Sequence, residues 1–372
     1  MSSRTRVPRR AEPARRRPVR ALPALGAGFD HEELVVRRGR RGGVPVVVAV
    51  HSTALGPALG GCRLWRYPDV GQAVADALRL SRTMTLKAAA AGLDLGGGKT
   101  VVCLAPGELL DAARRERVLL DVADAVDALG GRYVTAEDVG TSARDMLVIR
   151  RGTRHVAGLP AEHGGSGDPS PFTALGVVAA MRACVADRFG SSDLAGRTVA
   201  VVGCGRVGER LARLLADAGA HLLLTDIDPA KSALAAALPG ARWIDPLTAP
   251  LAEVDVLAPC ALGGMVGEAE VARLRCAIVC GAANNPLAHD GLADALAARG
   301  VLYAPDFIVN AGGVINVSME LDTYDRERAL RRVEAIEDTT TAILAAARAA
   351  GTTPLAAARE LASSRLEHVR AA

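Results

Sequence analysis

The chain has 372 residues, of which 50% are apolar and 23% are charged, so it can build two hydrophobic cores and is not disordered throughout. No apolar run approaches the ~18 residues that a membrane-spanning helix needs. Ten aromatic residues are too few for the base-stacking surfaces of proteins that bind single-stranded nucleic acids. Composition therefore predicts a soluble globular protein that binds neither membranes nor nucleic acids.

The net charge of +4 is unevenly distributed along the chain. Residues 1–22 hold eight arginines and one glutamate, a charge of about +7, which leaves about −3 for the other 350 residues. This segment has too few apolar residues to fold, and we interpret residues 1–24 as a disordered tail rich in arginine and proline. The alternative is an arm that binds nucleic acid or another anionic surface.

The seven cysteines form neither a C-x-x-C motif nor a cluster with histidines. This spacing is typical of reduced thiols in a cytoplasmic protein, and it predicts no metal site.

The predicted elements of the first half alternate between strand and helix. In chain order they are a strand at 44–50, a tight loop at 56–61, a helix from Val70 to about Ala91, a strand at 94–104, a helix near 108–129 and a strand entering 135–141. This alternation is typical of an α/β domain.

Two lysines of the first half stand out, because only Lys87, Lys99 and Lys231 are lysines among 45 basic residues. Arginine stays protonated, whereas a buried ammonium group can lose its proton near neutral pH. Lys87 lies in the last turns of the first predicted helix, Lys99 follows three glycines, and Asp138 ends the next strand. Two ammonium groups and a carboxylate suit a zwitterionic substrate, with one lysine for its carboxylate, the aspartate for its amino group and the other lysine for proton transfer.

The second half is predicted to follow a Gly- and Pro-rich hinge at 158–171. Its elements are a helix from about Phe172 to Arg188, strands at 197–202, 220–225, 254–258, 277–281 and 301–304, and two Ala-rich helices from Asp325 onward. The strand at 197–202 is continuously apolar, as in a buried parallel sheet.

A glycine-rich loop follows that strand and opens a helix. It consists of Gly203, Cys204, Gly205, Arg206, Val207 and Gly208. Glycines in this context permit a tight turn, close approach of a pyrophosphate and close helix–strand packing. Asp226 lies at the end of the next strand, where a carboxylate accepts hydrogen bonds from ribose hydroxyls and repels a 2′-phosphate. The loop therefore predicts a dinucleotide site that prefers NAD over NADP.

Several further motifs, together with these, resemble the leucine/valine/phenylalanine group of the glutamate dehydrogenase superfamily over about residues 30–350. They are G-P-A-L-G-G-C-R (56–63), M-T-L-K-A-A-A-A-G-L-D-L-G-G-G-K (84–99), Y-V-T-A-E-D-V-G-T (133–141), G-G-S-G-D-P-S-P (164–171), A-P-C-A-L-G-G (258–264), G-A-A-N-N (281–285) and Y-A-P-D-F-I-V-N-A-G-G-V-I-N-V (303–317). The resemblance implies NAD-dependent, reversible oxidative deamination of a branched-chain L-amino acid to a 2-oxo acid and ammonia. A departure is Leu86, where relatives often carry tyrosine.

The same resemblance assigns roles to individual residues. It implies that Lys87 holds the substrate carboxylate, Lys99 activates water and Asp138 handles the amino group and its protons. Other implied contacts with the substrate or the cofactor involve Gly60, Gly61, Met84, Asn285, Asn284 and Thr173. Of these, Asn284 and Thr173 are expected near the cofactor.

The substrate side chain is expected to lie among the apolar residues Leu59, Ala136, Val314 and Val317. Leu59 stands where glutamate dehydrogenases typically place a lysine, so the resemblance argues against a glutamate pocket. Ala136 stands where phenylalanine-preferring relatives carry glycine. Two alternatives remain open, namely a phenylalanine dehydrogenase and an NAD-binding regulator without activity.

The fold expected from these motifs is α/β with two domains. We predict a substrate domain at 25–165, a Rossmann-type NAD-binding domain at 166–325, and C-terminal helices at 326–372 that pack back on the first domain. We also expect a homo-oligomer whose only other partners are its small-molecule substrates.

Overall fold

The computed structural model describes residues 29–261 and 263–371, so the tail predicted for residues 1–24 lies outside the described residues. The strands are β1 (Glu33–Arg38), β2 (Pro45–Ser52), β3 (Ala58–Arg66), β4 (Gly96–Leu104), β5 (Tyr133–Glu137), β6 (Thr198–Val202), β7 (His221–Thr225), β8 (Arg242–Trp243), β9 (Glu253–Pro259), β10 (Arg275–Val279) and β11 (Leu302–Tyr303). The helices are α1 (Val70–Ala90), α2 (Ala112–Asp127), α3 (Ala143–Arg150), α4 (Ser170–Phe189), α5 (Arg206–Asp217), α6 (Ser232–Ala237), α7 (Glu268–Arg273), α8 (Leu292–Ala298), α9 (Asp306–Val309), α10 (Gly312–Ser318), α11 (Arg326–Glu334), α12 (Ile336–Ala350) and α13 (Pro354–Ala371). None of these helices is long and apolar enough to cross a bilayer.

The first sheet has the strand order β1-β2-β4-β3-β5. Strand β2 runs antiparallel to β1 and β4, and β3 runs parallel to β4 and β5. The prediction of a tight loop at 56–61 is wrong, because most of this segment belongs to strand β3, which lies between β4 and β5. A Cβ atom on Gly60 would lie 1.7 Å from the carbonyl oxygen of Gly98, so these glycines serve close strand packing instead of a turn.

The second sheet is parallel throughout and has the order β8-β7-β6-β9-β10-β11. Numbered within this domain, the order is 3-2-1-4-5-6, which is that of dinucleotide-binding domains. The predicted α/β fold with a Rossmann-type second domain is thereby confirmed. Ligands of such sheets bind where the order reverses, at the carboxyl ends of β6 and β9.

The chain ends in three helices, not two, because α11 and α12 are separate. Neither glycine nor proline marks the break at Ala335, whereas Gly351, with φ of 61°, ends α12 in the left-handed conformation. Helix α13 returns to the first domain, as expected: the Arg365 guanidinium donates to the carbonyl oxygens of Ala89 (3.0 Å) and Leu93 (2.8 Å). The domain boundaries at 165 and 325 stay predictions.

Glu320 forms hydrogen bonds between the two chain segments that connect the domains. Its carboxylate accepts hydrogen bonds from the backbone N–H groups of Gly158 (3.0 Å), Leu159 (3.2 Å) and Ser166 (2.7 Å). Residues 158–166 lead from the first sheet to α4, and Glu320 follows α10 on the return path. The carboxylate therefore accepts hydrogen bonds from backbone N–H groups of the connecting loop, which do not donate within a strand.

Candidate active site

Helix α1 lies directly on the glycine-rich start of β4. A Cβ atom on Gly97 would be 2.1 Å from the backbone nitrogen of Thr85, so any larger residue would push the helix away. The helix is capped by Asp69, whose side chain accepts from the N–H of Gln72. This close packing places Lys87 of α1 and Lys99 of β4 side by side in the interior, with exposed fractions of 8% and 5%.

Asp138 directly follows β5 and faces Lys99. The Lys99 Nζ lies 2.8 Å from the Asp138 Oδ2, and the Nε of Arg63 donates to the same oxygen at 3.0 Å. Burial by itself would raise the pKa of Asp138, but the charges of Lys99 and Arg63 outweigh it and lower the pKa to about 2. Asp138 is therefore a carboxylate at neutral pH.

Lys87 reaches across to the second domain, where its Nζ donates to the Asn284 Oδ1 at 3.3 Å. Burial lowers the pKa of this ammonium group to about 8; Asp306 raises it, and Lys99 lowers it further. The Lys87 side chain is thus mostly charged at neutral pH, yet within one pH unit of losing its proton. Such a group can bind an anion, and an anion that binds will raise its pKa.

A buried amide beside Asn284 lacks part of its hydrogen bonding. The Asn310 Nδ2 donates to the Asn284 Oδ1 (3.0 Å) and to the carbonyl oxygen of Ala282 (3.1 Å), but among the described residues none donates to the buried Asn310 Oδ1. Leaving such an oxygen unpaired costs roughly 1–3 kcal/mol, so the site fits a ligand that donates a hydrogen bond there. Sequence reasoning missed Asn310, although it lies within a motif that was recognised.

Asn285 adopts the left-handed conformation with φ of 49°, which asparagine tolerates better than most residues. The Asp306 Oδ2 accepts its backbone N–H at 2.7 Å, and the Asp306 Oδ1 accepts the hydroxyl of Tyr303 at 3.0 Å. Asp306, which sequence reasoning also missed, thus fixes the strained turn that presents Asn284 and Asn285.

The four residues predicted to surround the substrate side chain are all part of one large hydrophobic cluster. Leu59, Ala136 and Val317 are buried members of it, and Val314 packs against it. Their place around a substrate stays a prediction. Met84 lies one helical turn before Lys87 and is partly buried. The remaining predicted members, Gly60 and Gly61, lie in β3; a Cβ atom on Gly61 would be 2.6 Å from the Cβ of Asp138.

The glycine-rich loop has the geometry of a phosphate cradle. Gly203 has φ of 103°, and a Cβ atom on Gly208 would lie 1.8 Å from the carbonyl oxygen of Gly203. By contrast, a Cβ atom on Gly205 would meet no atom of the described residues within 4 Å, so packing among them does not demand glycine there. Arg206 and Val207 open α5, whose first N–H groups have no partner within the helix. An open glycine surface at a helix N-terminus fits a pyrophosphate.

Asp226 is fixed against this loop. Its Oδ2 accepts the backbone N–H of Cys204 at 2.7 Å, and its Oδ1 accepts that of Asp228 at 2.9 Å. Each carboxylate oxygen keeps a second lone pair for another donor. The Cys204 thiol is buried and donates to the carbonyl oxygen of Thr225, so this residue holds the loop in place; its contact with a cofactor stays a prediction.

Thr173 lies in the first turn of α4, next to the start of α10. Its hydroxyl donates to the carbonyl oxygen of Pro169 at 3.1 Å, and a Cβ atom on Gly313 would be 2.6 Å from that hydroxyl oxygen. The glycine lets α10, which carries Val314 and Val317, approach the N-terminus of α4. The contact of Thr173 with a cofactor stays a prediction.

Comparisons with known proteins agree with this geometry. The model for the Glu/Leu/Phe/Val dehydrogenase dimerisation domain matches residues 34–155, and that for Glutamate/Leucine/Phenylalanine/Valine dehydrogenase matches residues 229–371. The NAD-binding domain of D-isomer specific 2-hydroxyacid dehydrogenases matches residues 178–262. These matches identify the second domain as one that binds a nicotinamide cofactor.

Curated relatives are similar over nearly their whole length. Leucine dehydrogenase of Thermoactinomyces intermedius is 42% identical, with 92% of each chain covered. Valine dehydrogenase of Streptomyces albus is 45% identical, over 92% of this chain and 93% of the relative.

Solved structures share the fold. L-tryptophan dehydrogenase from Nostoc punctiforme has a TM-score of 0.79 and 37% identity, covering 92% of this chain and 98% of its own. A hetero-hexameric glutamate dehydrogenase from Thermus thermophilus has a TM-score of 0.75 and 25% identity, with 91% and 89% covered. By its motifs, its two sheets and these relatives, the chain belongs to the Glu/Leu/Phe/Val dehydrogenase family.

Proposed function

We propose that this protein catalyses the NAD-dependent, reversible oxidative deamination of branched-chain L-amino acids to 2-oxo acids and ammonia. The observation that carries the proposal is the buried group of Lys87, Lys99 and Asp138, which faces the crevice of a dinucleotide-binding sheet. The similarity of the chain to leucine and valine dehydrogenases supports the same activity. A regulator that only bound the cofactor would have no use for this buried pair of lysines.

The residues present fit a dinucleotide cofactor. Gly203, Gly205 and Gly208 would hold the pyrophosphate, and Asp226 would bind the ribose hydroxyls. Thr173 and Asn284 would contact the nicotinamide end of the cofactor. There, a hydrogen-bond donor of the cofactor could pair with the Asn310 oxygen, to which none of the described residues donates. The proposed cofactor site also includes Asn310, Cys204, Arg206 and Val207. When bound, the nicotinamide ring supplies the acceptor for the hydride of the substrate α-carbon.

The chain itself binds and orients the amino acid. The Lys87 ammonium group would pair with the substrate carboxylate, the Asp138 carboxylate with its amino group, and Asn285 would add a polar contact. Lys99 would take a proton from the water molecule that attacks the imine carbon. The resulting carbinolamine then collapses to the 2-oxo acid and ammonia. Burial of both lysines keeps bulk water away and strengthens each of these interactions.

The pocket chemistry favours an aliphatic side chain. Leu59, Ala136, Val314 and Val317 offer no charge to a substrate carboxylate, and stranding one there would cost several kcal/mol. Each buried methylene of an aliphatic substrate instead gains about 0.8 kcal/mol. The methyl group of Ala136 narrows the pocket against an aromatic ring.

We therefore expect L-valine, L-leucine and L-isoleucine to be the best substrates, L-phenylalanine to be poor and L-glutamate to be essentially inactive. Steady-state kcat/KM values with NAD+ check this order. L-tryptophan belongs in the same panel, because the tryptophan dehydrogenase from Nostoc punctiforme shares the fold at 37% identity. A first rank for glutamate or an aromatic amino acid contradicts the pocket assignment, and no turnover of any amino acid contradicts the proposed activity.

The cofactor preference should reside in Asp226. We expect kcat/KM to be at least tenfold higher with NAD+ than with NADP+, because a 2′-phosphate would meet this carboxylate. Asp226→Asn keeps an oxygen for the Cys204 N–H but removes the charge, and should reduce the preference at least threefold. Asp228→Asn is the matched control, since Asp228 only caps the next turn and should leave the preference unchanged. Equal efficiency of the wild type with both cofactors contradicts the assignment.

We further propose a cytoplasmic homo-oligomer. The match of residues 34–155 to a dimerisation domain supports self-association. The seven cysteines are all free thiols, which suits a reducing compartment.

A further inference from the structure

Arg63 connects two carboxylates next to the proposed reaction site. From β3, its Nε donates to the Asp138 Oδ2 at 3.0 Å and its Nη1 donates to the Asp76 Oδ2 at 2.9 Å. The guanidinium group is largely enclosed, with 20% of its side chain exposed. Because the guanidinium is a rigid plane, these two contacts fix its orientation.

The second carboxylate is itself anchored. The Asp76 Oδ2 also accepts the hydroxyl of Tyr67 at 2.7 Å, and the Asp76 Oδ1 accepts Arg79 at 2.7 Å. Positive and negative groups therefore alternate along a row that starts at Lys99 and Asp138 and ends at Arg79. Arg63 cannot turn away from Asp138 without giving up its bond to Asp76.

From this row we propose that Arg63 is a positioning residue that holds the Asp138 carboxylate in one orientation beside Lys99. The inference rests on the proposed function. Lys99 and Arg63 donate to the same oxygen, Oδ2, which fixes how the carboxylate is turned. Arg63 stays protonated and therefore remains a hydrogen-bond donor to Asp138.

The hydration step then has one proton acceptor. The water oxygen bonds to the carbon of the protonated imine, the C=N electron pair moves to nitrogen, and a water proton moves to the neutral Nζ of Lys99. The ammonium group thus formed stays paired with the Asp138 carboxylate in this step. Arg63 and Asp76 take no part in bond making, and they fix where that anion lies.

The test compares three variants with L-leucine and NAD+. Arg63→Met should lower kcat at least 30-fold and change the KM for L-leucine less than threefold, because Lys87 still holds the carboxylate. Arg63→Lys keeps a charge that reaches one carboxylate, and should retain between a tenth and a half of the wild-type kcat. Arg79→Met is the control: this arginine contacts the other oxygen of Asp76, is 54% exposed, and its loss should change kcat less than twofold.

A second measurement distinguishes an effect of Arg63 on the orientation of Asp138 from a general effect on the stability of the fold. In an Asp138→Asn background, Arg63→Met should change kcat less than twofold, because the group that Arg63 positions is no longer a carboxylate. The same 30-fold loss in that background, or a wild-type kcat in the single variant, overturns the proposal. If Arg63→Met does not fold, Arg63→Lys decides, and a kcat outside the stated range overturns the proposal. Failure of the proposed function is distinguishable, because the wild type would then deaminate no amino acid.

Discussion

Replacing Lys99 by alanine should lower kcat about 1,000-fold, which is within the range that a positioned acid–base group contributes. The reason is that Lys99 is the buried lysine next to Asp138 and is the proposed base for water, and Arg63, which donates to the same oxygen, cannot replace it because it does not give up its proton. Binding of NAD+ should stay within threefold of the wild type, because the glycine-rich loop lies in the other domain. Saturating steady-state kinetics and a binding titration check both statements.

Two controls sharpen this result. Lys99→Arg keeps a positive charge but no proton acceptor, and should not restore turnover. Lys231→Ala removes the third lysine of the chain, which lies outside the group at Asp138, and should leave kcat within twofold of the wild type. A Lys99→Ala enzyme that keeps more than a tenth of the wild-type kcat would refute the role of Lys99.

Replacing Lys87 by alanine should lower kcat/KM for L-leucine by roughly 100- to 1,000-fold, mostly through KM. Removing one partner of a buried ion pair costs about 3–5 kcal/mol, and the substrate carboxylate would lose its cation in the interior. Arg82→Ala is the matched control, since Arg82 lies on the same helix but is exposed, and its loss should matter less than twofold. An effect of the same size on kcat, with an unchanged KM, would contradict a role in substrate binding.

The pH dependence of binding tests the same residue without turnover. The carboxylic acid 4-methylpentanoate lacks the amino group, so its affinity reports on the cation that holds the carboxylate. With a pKa of about 8 for Lys87 in the free enzyme, the charged form predominates at lower pH and binding should be constant there. Above that pH, binding requires proton uptake and should weaken by up to tenfold per pH unit. Titration calorimetry of the wild type and of Lys87→Ala checks this; a flat wild-type profile up to about pH 9.5 contradicts the assignment.

Much of the site could be predicted from local sequence signals. Lys87 and Lys99 were visible because lysine is so rare in this chain, and Asp138 because it ends a strand within a motif. The parallel sheet of the second domain followed from an apolar strand, a glycine-rich loop and a helix in direct succession, as Gly203 and its neighbours show. Each of these signals spans no more than about twenty residues. Over that length, hydrophobic periodicity and turn preferences can be recognised from the sequence alone.

Other features depend on contacts between distant parts of the chain. The glycines of β3 are also typical of turns, which is why the sequence predicts a loop there; only the approach of Gly98, 38 residues after Gly60, shows why Gly60 is required. Glu320 is one acidic residue among 41, and its partners at 158–166 lie about 160 residues away.

By itself, the sequence determined the α/β class and the glycine-rich loop, and it singled out the two lysines proposed for the site, because each depends on residue type and short spacing. The tertiary structure decided what surrounds them. Arg63 has no distinguishing sequence signal among so many arginines, and its importance lies in the two carboxylates that folding brings to it. The same holds for the unpaired oxygen of Asn310, since burial and the absence of a donor are properties of a folded interior and not of a residue's neighbours in sequence.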